Sequence, residues 1–539
     1  MTAADATLAA KPHRLTEARA VMAASAILSL VLALPILAMS VPWFCDLYFH
    51  MARMVVLENP QAAYIGDWYR ADWRLVPNLA MDLIVPGLAK AIGTAAATRV
   101  FVALTLVLTL AGSMALHHAL HHKLTWFPLL AGLFIYNWIT FLGFANVLFG
   151  NALMLWAAAL WFWSRERPLA FRITLGAACA LILYVCHLFA LGLYGLVVAG
   201  AEFACLRPRT PLRTRTVARS LALTVAPFVV PFVLLLTSRT VAASTPGIHY
   251  VLAAKLFAWL TPFITVDIPI DLAVAAGTLG LLCFLARQRA VHVAPELRPA
   301  LVALPFLVVV IPTSFFGTDL ADFRLPALGI FIALAACRCS EQMSHHLQRG
   351  VLAGAAALFA LRMTGIAIDF ATAEPEMAAI TQQYRAMQPG AVLFTGTFEH
   401  PSFLVDLFTK PENWLAPWRR RDVVPFRHIG ALALLYQAVL VPETTMIDGQ
   451  QPVTMLPPFR ALKSLQSQEH VARALTSTDD LDRWLHDIKD TVTRSPYRFT
   501  AIYIALSDPH GLAKPPLGIV ERFSQYNYRI WDVTGWMAR

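Results

Sequence analysis

Asp46, His50 and Arg53 stand at i, i+4 and i+7 in the run Phe44-Cys45-Asp46-Leu47-Tyr48-Phe49-His50-Met51-Ala52-Arg53. On a helix that spacing puts a carboxylate, an imidazole and a guanidinium on one face. Such a trio suits general-base chemistry, with Asp46 ionised near neutral pH, Arg53 holding its charge or binding a phosphate, and His50 orienting it or relaying a proton. The plainer alternative is a structural pair between Asp46 and Arg53. A carboxylate directly after a long apolar run is costly to keep without a role, which favours chemistry.

Other candidates surround this trio in sequence. Tyr64 to Arg74 interleaves aromatics with charges, so Trp68 and Tyr69 are expected either to stack on sugar faces or to sit in an interfacial aromatic belt. Asn78 and Asp82 repeat the i, i+4 spacing on the amphipathic stretch 77–92, where a cap or solvent-face role is the first expectation. Phe141 to Asn151 reads as a tight turn in which Asn146 satisfies backbone groups or faces a substrate. His187 stands at a break in an apolar run, placed for bundle packing or for function. Arg324, followed by Leu325-Pro326, and Lys255 and Arg239 from a neighbouring loop offer donors for a lipid phosphate, with an Asp322–Arg324 surface pair as the alternative. His117, His118, His121 and His122 have metal-compatible spacing but read as a solvated helix end. The seven cysteines suggest neither a disulfide framework nor a zinc site.

The elements that position these residues follow from composition. Of 539 residues, 58% are apolar and 14% charged, against about 25% charged in ordinary soluble domains. The net charge of +10 comes from short basic clusters between apolar runs, a pattern of membrane topology and not of nucleic-acid binding. A span from about 20 to 43 is retained, since no cleavage signal ends it. Further apolar runs, with 173–206 split near His187, bring the count to about eleven crossings. Arg165, Arg167 and Arg172, then Arg207 to Arg219, then Arg287, Arg289 and Arg298 fall in loops on one side, predicted cytoplasmic; acidic residues gather in the opposite loops. The chain divides into a polytopic membrane domain, 1–371, with a long first outer loop at 43–97, and a polar domain, 372–539, predicted extracytoplasmic. In the latter, a helix over Glu376 to Met387 leads into a strand at 391–395. A second helix, Leu481 to Thr493, capped by Ser477-Thr478-Asp479, leads into 499–506, and 528–533 gives another strand. An α/β or α+β fold is expected.

This layout resembles the GT-C superfamily of polyprenyl-phosphate-sugar-dependent glycosyltransferases, such as protein O-mannosyltransferases and aminoarabinose transferases. The residues that carry it are the acid after the first span, the long first outer loop, the late outer loop with Arg324, and the outer C-terminal domain. The resemblance implies an inverting enzyme of a bacterial inner membrane that moves a sugar from a polyprenyl-phosphate carrier to a lipid, glycan or protein acceptor. It places the catalytic base at Asp46 and implies Arg324, with Lys255, at the departing phosphate. Many members carry adjacent acids, whereas Leu47 follows Asp46; Asp82 or Asp322 is the candidate second acid. No cofactor is established, and a divalent cation is the one left open. The rival readings are a lipid-linked glycan polymerase or ligase using Arg239 and His249, a transporter, and a non-catalytic assembly subunit.

Overall fold

The computed structural model describes residues 3–206, 214–238, 248–265, 267–315, 318, 320–340, 342–398, 425–443, 446, 450–465, 472–509 and 511–538. Arg239 and Asp319 lie outside them. Helix α1 (Ala3–Ala38) is followed by α2 (Leu47–Glu58), strand β1 (Tyr69–Ala71), α3 (Ala80–Ile92), α4 (Thr94–His121), α5 (Ala145–Trp163), α6 (Leu169–Cys186), α7 (Leu188–Cys205), α8 (Ile268–Arg287), α9 (Ala321–Ala336) and α10 (His345–Arg385). Among the described residues, 8 helical stretches are long and apolar enough to cross a membrane, and Phe127–Phe141 and Arg298–Val310 are shorter apolar helical segments. Ile27, Leu30, Phe232, Leu272 and Phe306 are exposed on these helices. A bilayer is the solvent in which that outward apolar surface costs nothing.

The long apolar run is cut at His187, as the sequence predicts. Its backbone is extended, with φ −173° and ψ 139°, and its Nδ1 accepts from Phe189 N–H at 3.1 Å, ending α6 and capping α7. Such a side-chain acceptor supplies one of the backbone N–H groups that a helix start leaves without a partner.

The bundle has two chemically distinct ends. At one, Arg165 pairs with Glu296 at 3.0 Å, Arg172 with Glu202 at 2.9 Å, and His117 and His121 meet the carbonyls of Ala335 and Ala336 at 3.0 and 3.1 Å. His117 also contacts Thr125 Oγ1 through Nε2 at 2.8 Å, so these histidines tie α4 to the end of α9. Strands β2 (Val291–Val293) and β3 (Cys337–Cys339) close the same end, with Cys337 and Cys339 in a small antiparallel ribbon. At the other end lie α2, α3, the turn before α5, His187 and the start of α9.

Helix α10 runs unbroken past residue 371, so the composition change there falls inside one element. Its 41 residues span about 60 Å at 1.5 Å per residue, long enough to cross a bilayer and enter the C-terminal domain. There β4 (Ala391–Thr397), β5 (Val439–Leu440), β6 (Val453–Met455), β7 (Arg473–Ala474), β8 (Ile502–Ser507), β9 (Val520–Gln525) and β10 (Tyr528–Asp532) follow. The main sheet has the order β5-β4-β8-β10-β9, with β7 beside β4; β4 pairs in parallel with β5, β7 and β8, and β10 antiparallel with β8 and β9. Every residue of β4 is buried, as an apolar run at the centre of a sheet requires. Helix α11 (Thr478–Arg494) begins where Ser477 accepts from Asp480 N–H, matching the expected cap.

Candidate active site

The chain leaves α1 and reaches Asp46 through a locked backbone. Cys45 N–H donates to Phe141 O at 3.2 Å and Asp46 N–H to Leu142 O at 2.9 Å. Gly143, at φ +78°, lets the two segments touch: a Cβ there would lie 2.7 Å from Leu47 N and 3.0 Å from Asp46 N. Only glycine fits both the torsion and the space. Asp46 then opens α2, its carbonyl accepting from Phe49 N–H at 3.1 Å and His50 N–H at 3.3 Å. Its carboxylate stays 35% exposed, although its neighbours Cys45 and Leu47 are buried.

Across from Asp46 stands a residue from the C-terminal domain. His428, in the 3-10 segment Pro425–Leu432, places Nε2 at 3.6 Å from Asp46 Oδ1 and Nδ1 at 2.9 Å from Glu443 Oε1. Thr395 on β4 donates to the other Glu443 oxygen. Phe49 packs on the imidazole with centroids 4.2 Å apart. Burial pushes the Glu443 carboxyl up to about 8, and burial, then the Arg427 charge, lowers His428. Both shifts disfavour charge in this buried row. Cys45, Asp46 and His428 also bring one potential ligand atom each within 4.8 Å of one another. No spacing in the sequence pointed to His428, Glu443 or Thr395, which lie some hundreds of residues from Asp46.

The expected trio is only partly assembled. His50 Nδ1 does meet Arg53 at 2.8 Å, but Arg53 turns away from Asp46 to grip Asp82. Its NH2 donates to Asp82 Oδ2 at 3.0 Å, its Nε to Oδ1, and its NH1 to Gln451 Oε1 of the C-terminal domain at 2.9 Å. Asp82 is buried, which corrects its assignment to a cap or solvent face: a bidentate guanidinium compensates the carboxylate inside the protein. Burial, then the Arg53 charge and His187, lower His50, so its neutral ring accepts from Arg53.

Asn146 is a buried brace. Its Oδ1 accepts from Met81 N–H and its Nδ2 donates to Asn78 O, each at 2.7 Å, docking the start of α3 on α5. The substrate-facing reading of Asn146 gives way to the packing one, because both ends of the amide are used.

Trp68 and Tyr69 are also corrected. Both are buried, and β1 pairs antiparallel with β6 at Tyr69↔Met455. They form the seam between the first outer loop and the C-terminal domain, with Tyr64 stacked on Trp68 at 5.8 Å and Tyr69 OH donating to Val441 O at 3.4 Å. Neither face is available to a sugar or a lipid headgroup. Trp73 is the exposed tryptophan of that run.

Arg324 is not paired with Asp322 across a surface. Its guanidinium lies 4.3 Å from the centre of the Phe144 ring and 5.3 Å from that of Phe189, in an aromatic clamp at the start of α9. Phe144 follows Gly143, so the turn that holds Asp46 also holds Arg324, and His187 feels the Arg324 charge. Lys255 and Asp322 pair instead with each other at 2.6 Å, where Thr313 joins at 3.1 Å and Lys255 also donates to Ile311 O. A buried ammonium already neutralised by a buried carboxylate is a poor phosphate donor, so Lys255 is a structural cation and Asp322 no second acid. His249 contributes its backbone to a bridge with Ser314.

At one end of the bundle the geometry therefore offers a partly exposed carboxylate on a fixed backbone, a guanidinium clamped beside the same turn, and an imidazole–carboxylate row delivered by the C-terminal domain. Two crystal structures share this fold over 96% of the chain and 98% of their own: ArnT from Cupriavidus metallidurans in the apo state, with a TM-score of 0.52, and ArnT from the same organism bound to undecaprenyl phosphate, with a TM-score of 0.50. The fold is ArnT-like. Sequence identity to each is 13%, and no protein-family profile and no curated relative matches the chain.

Proposed function

We propose that this protein is an inner-membrane glycosyltransferase that moves a sugar from a polyprenyl-phosphate carrier to an acceptor hydroxyl, with Asp46 as the base. The observation that carries the reading is Asp46 itself. Asp82, Asp271 and Asp322 are each buried against Arg53, Arg362 and Lys255, while the Asp46 carboxylate keeps 35% exposure on a backbone pinned by Phe141, Leu142 and Gly143. The fold supports the donor class, since one structure that shares it is bound to undecaprenyl phosphate. The basic end, with Arg165, Arg172 and Arg298, is taken as cytoplasmic, which puts Asp46 and the C-terminal domain in the periplasm.

In this reaction the acceptor oxygen attacks the anomeric carbon as its proton passes to Asp46. The bond from that carbon to the phosphate oxygen breaks, inverting the centre, and the lipid phosphate leaves with the electron pair. Arg324, fixed between Phe144 and Phe189, stabilises the growing phosphate charge. Lipid, glycan and protein hydroxyls all satisfy this chemistry as acceptors.

The expected result for Arg324→Ala is weaker binding of undecaprenyl phosphate by the detergent-solubilised protein, by roughly 10- to 100-fold, the worth of a charge-assisted hydrogen bond. Arg324→Lys keeps the charge without the fork and recovers part of that loss. Unchanged affinity in Arg324→Ala would remove Arg324 from the phosphate site.

A further inference from the structure

We infer that His50 and His187 are a pair of neutral hydrogen-bond donors that hold the phosphate of the lipid carrier beside Arg324. Each ring is locked into one tautomer by what its Nδ1 accepts: Arg53 NH2 at 2.8 Å for His50, and Phe189 N–H at 3.1 Å for His187. A guanidinium and a backbone N–H can only donate. Both Nδ1 atoms must therefore be bare, and both rings carry their proton on Nε2.

The two rings come from different elements, His50 from α2 and His187 from the break between α6 and α7. His187 lies close enough to act on the proton affinity of His50, and Arg324 acts on that of His187. Burial is the larger cause in each case, and it keeps both rings uncharged. Among the described residues neither Nε2 has a hydrogen-bond partner, and neither is sealed in the interior, so both N–H groups are within reach of a ligand. With Arg324 they make a set that offers donors alone, because the nearby Arg53 is already matched by Asp82. A ligand received by such a set must supply acceptors and no proton of its own, as an ionised phosphate does. The place selects the source of that phosphate. His187 is the turn between two helices apolar and long enough to cross a membrane, which is headgroup depth and favours a lipid phosphate over a free one. That the lipid is the sugar carrier rests on the transferase reading.

The test measures binding of undecaprenyl phosphate, and separately of inorganic phosphate, to the full-length protein in detergent. Asparagine sets its Oδ1 near the position of Nδ1 and nothing at Nε2. His50→Asn and His187→Asn thus keep an acceptor for Arg53 and a cap for α7 while deleting the donor. Each is expected to weaken undecaprenyl phosphate binding roughly 10-fold, the lower range for a hydrogen bond to a charged group, at unchanged thermal unfolding temperature. Glutamine reaches the Nε2 position with an N–H, so His187→Gln should recover most of the affinity although it gives up the cap. Parent-like affinity in both asparagine variants overturns the inference. Equal losses in His187→Asn and His187→Gln assign that ring to structure and overturn it too, and inorganic phosphate bound as tightly as the lipid overturns the assignment to a carrier. A parent chain that does not bind undecaprenyl phosphate defeats both this inference and the transferase reading, whereas one that binds it through these histidines but transfers no sugar upholds the inference and defeats the reading alone.

Discussion

Asp46→Asn is expected to lower sugar transfer by about 10²- to 10⁴-fold, the range for loss of a positioned general base. The amide is nearly isosteric, and what holds Asp46 in place is backbone: its N–H on Leu142 O, its carbonyl under Phe49 and His50, and Gly143 pressed against it. The substitution therefore leaves the turn, α2 and the Arg324 clamp intact while removing the proton acceptor. Undecaprenyl phosphate binding and thermal stability should change little, so the loss falls on turnover and not on affinity. Transfer at the parent rate by Asp46→Asn would show that the reaction uses another base.

The second large effect is on stability. Asp82→Ala leaves the Arg53 guanidinium buried with its bidentate partner gone, and removing one member of such a pair costs about 3–5 kcal/mol. Arg53 also joins Gln451 and His50, so the damage reaches the seam between α2, α3 and the C-terminal domain. The expected result is a drop of several degrees in thermal unfolding temperature in detergent. The double variant Arg53→Met/Asp82→Leu removes both charges and should recover much of the loss, because an apolar pair of similar size carries no desolvation penalty. If the double variant is as unstable as Asp82→Ala, the pair's importance lies in its hydrogen bonds and not in charge compensation.

Features set by neighbours in sequence were legible before the structure. The break at His187 follows from an apolar run too long for one crossing, and the polar residue at its middle becomes the cap. The start of α11 at Ser477 and the entry of α10 into β4 follow from capping and turn chemistry. His50 and Arg53 were on one helix face because i, i+3 neighbours must be. The partners chosen across the fold were not legible. Helical spacing set Arg53 beside Asp46, whereas packing of α3 against α2 delivered Asp82, which the sequence had not offered as its partner. Lys255 and Arg324 looked alike as outer cations, and the placement of Asp322 beside Lys255 and of the Phe144 and Phe189 rings beside Arg324 gives the two different surroundings. Trp68 and Tyr69 show why composition misleads: aromatics interleaved with charges have the same pattern whether they receive a sugar or zip β1 onto β6. His428 was beyond reach, since its place beside Asp46 depends on how a whole domain docks.

Reconstituting the purified protein in liposomes with a radiolabelled polyprenyl-phosphate sugar, together with extracted membrane lipids and glycans as acceptors, tests the central claim most directly. The account predicts that label leaves the carrier, free polyprenyl phosphate appears in equal amount, and the label moves to an acceptor, with all three lost in Asp46→Asn. A parent protein that leaves the labelled carrier untouched, or that moves label equally well with asparagine at position 46, would contradict it.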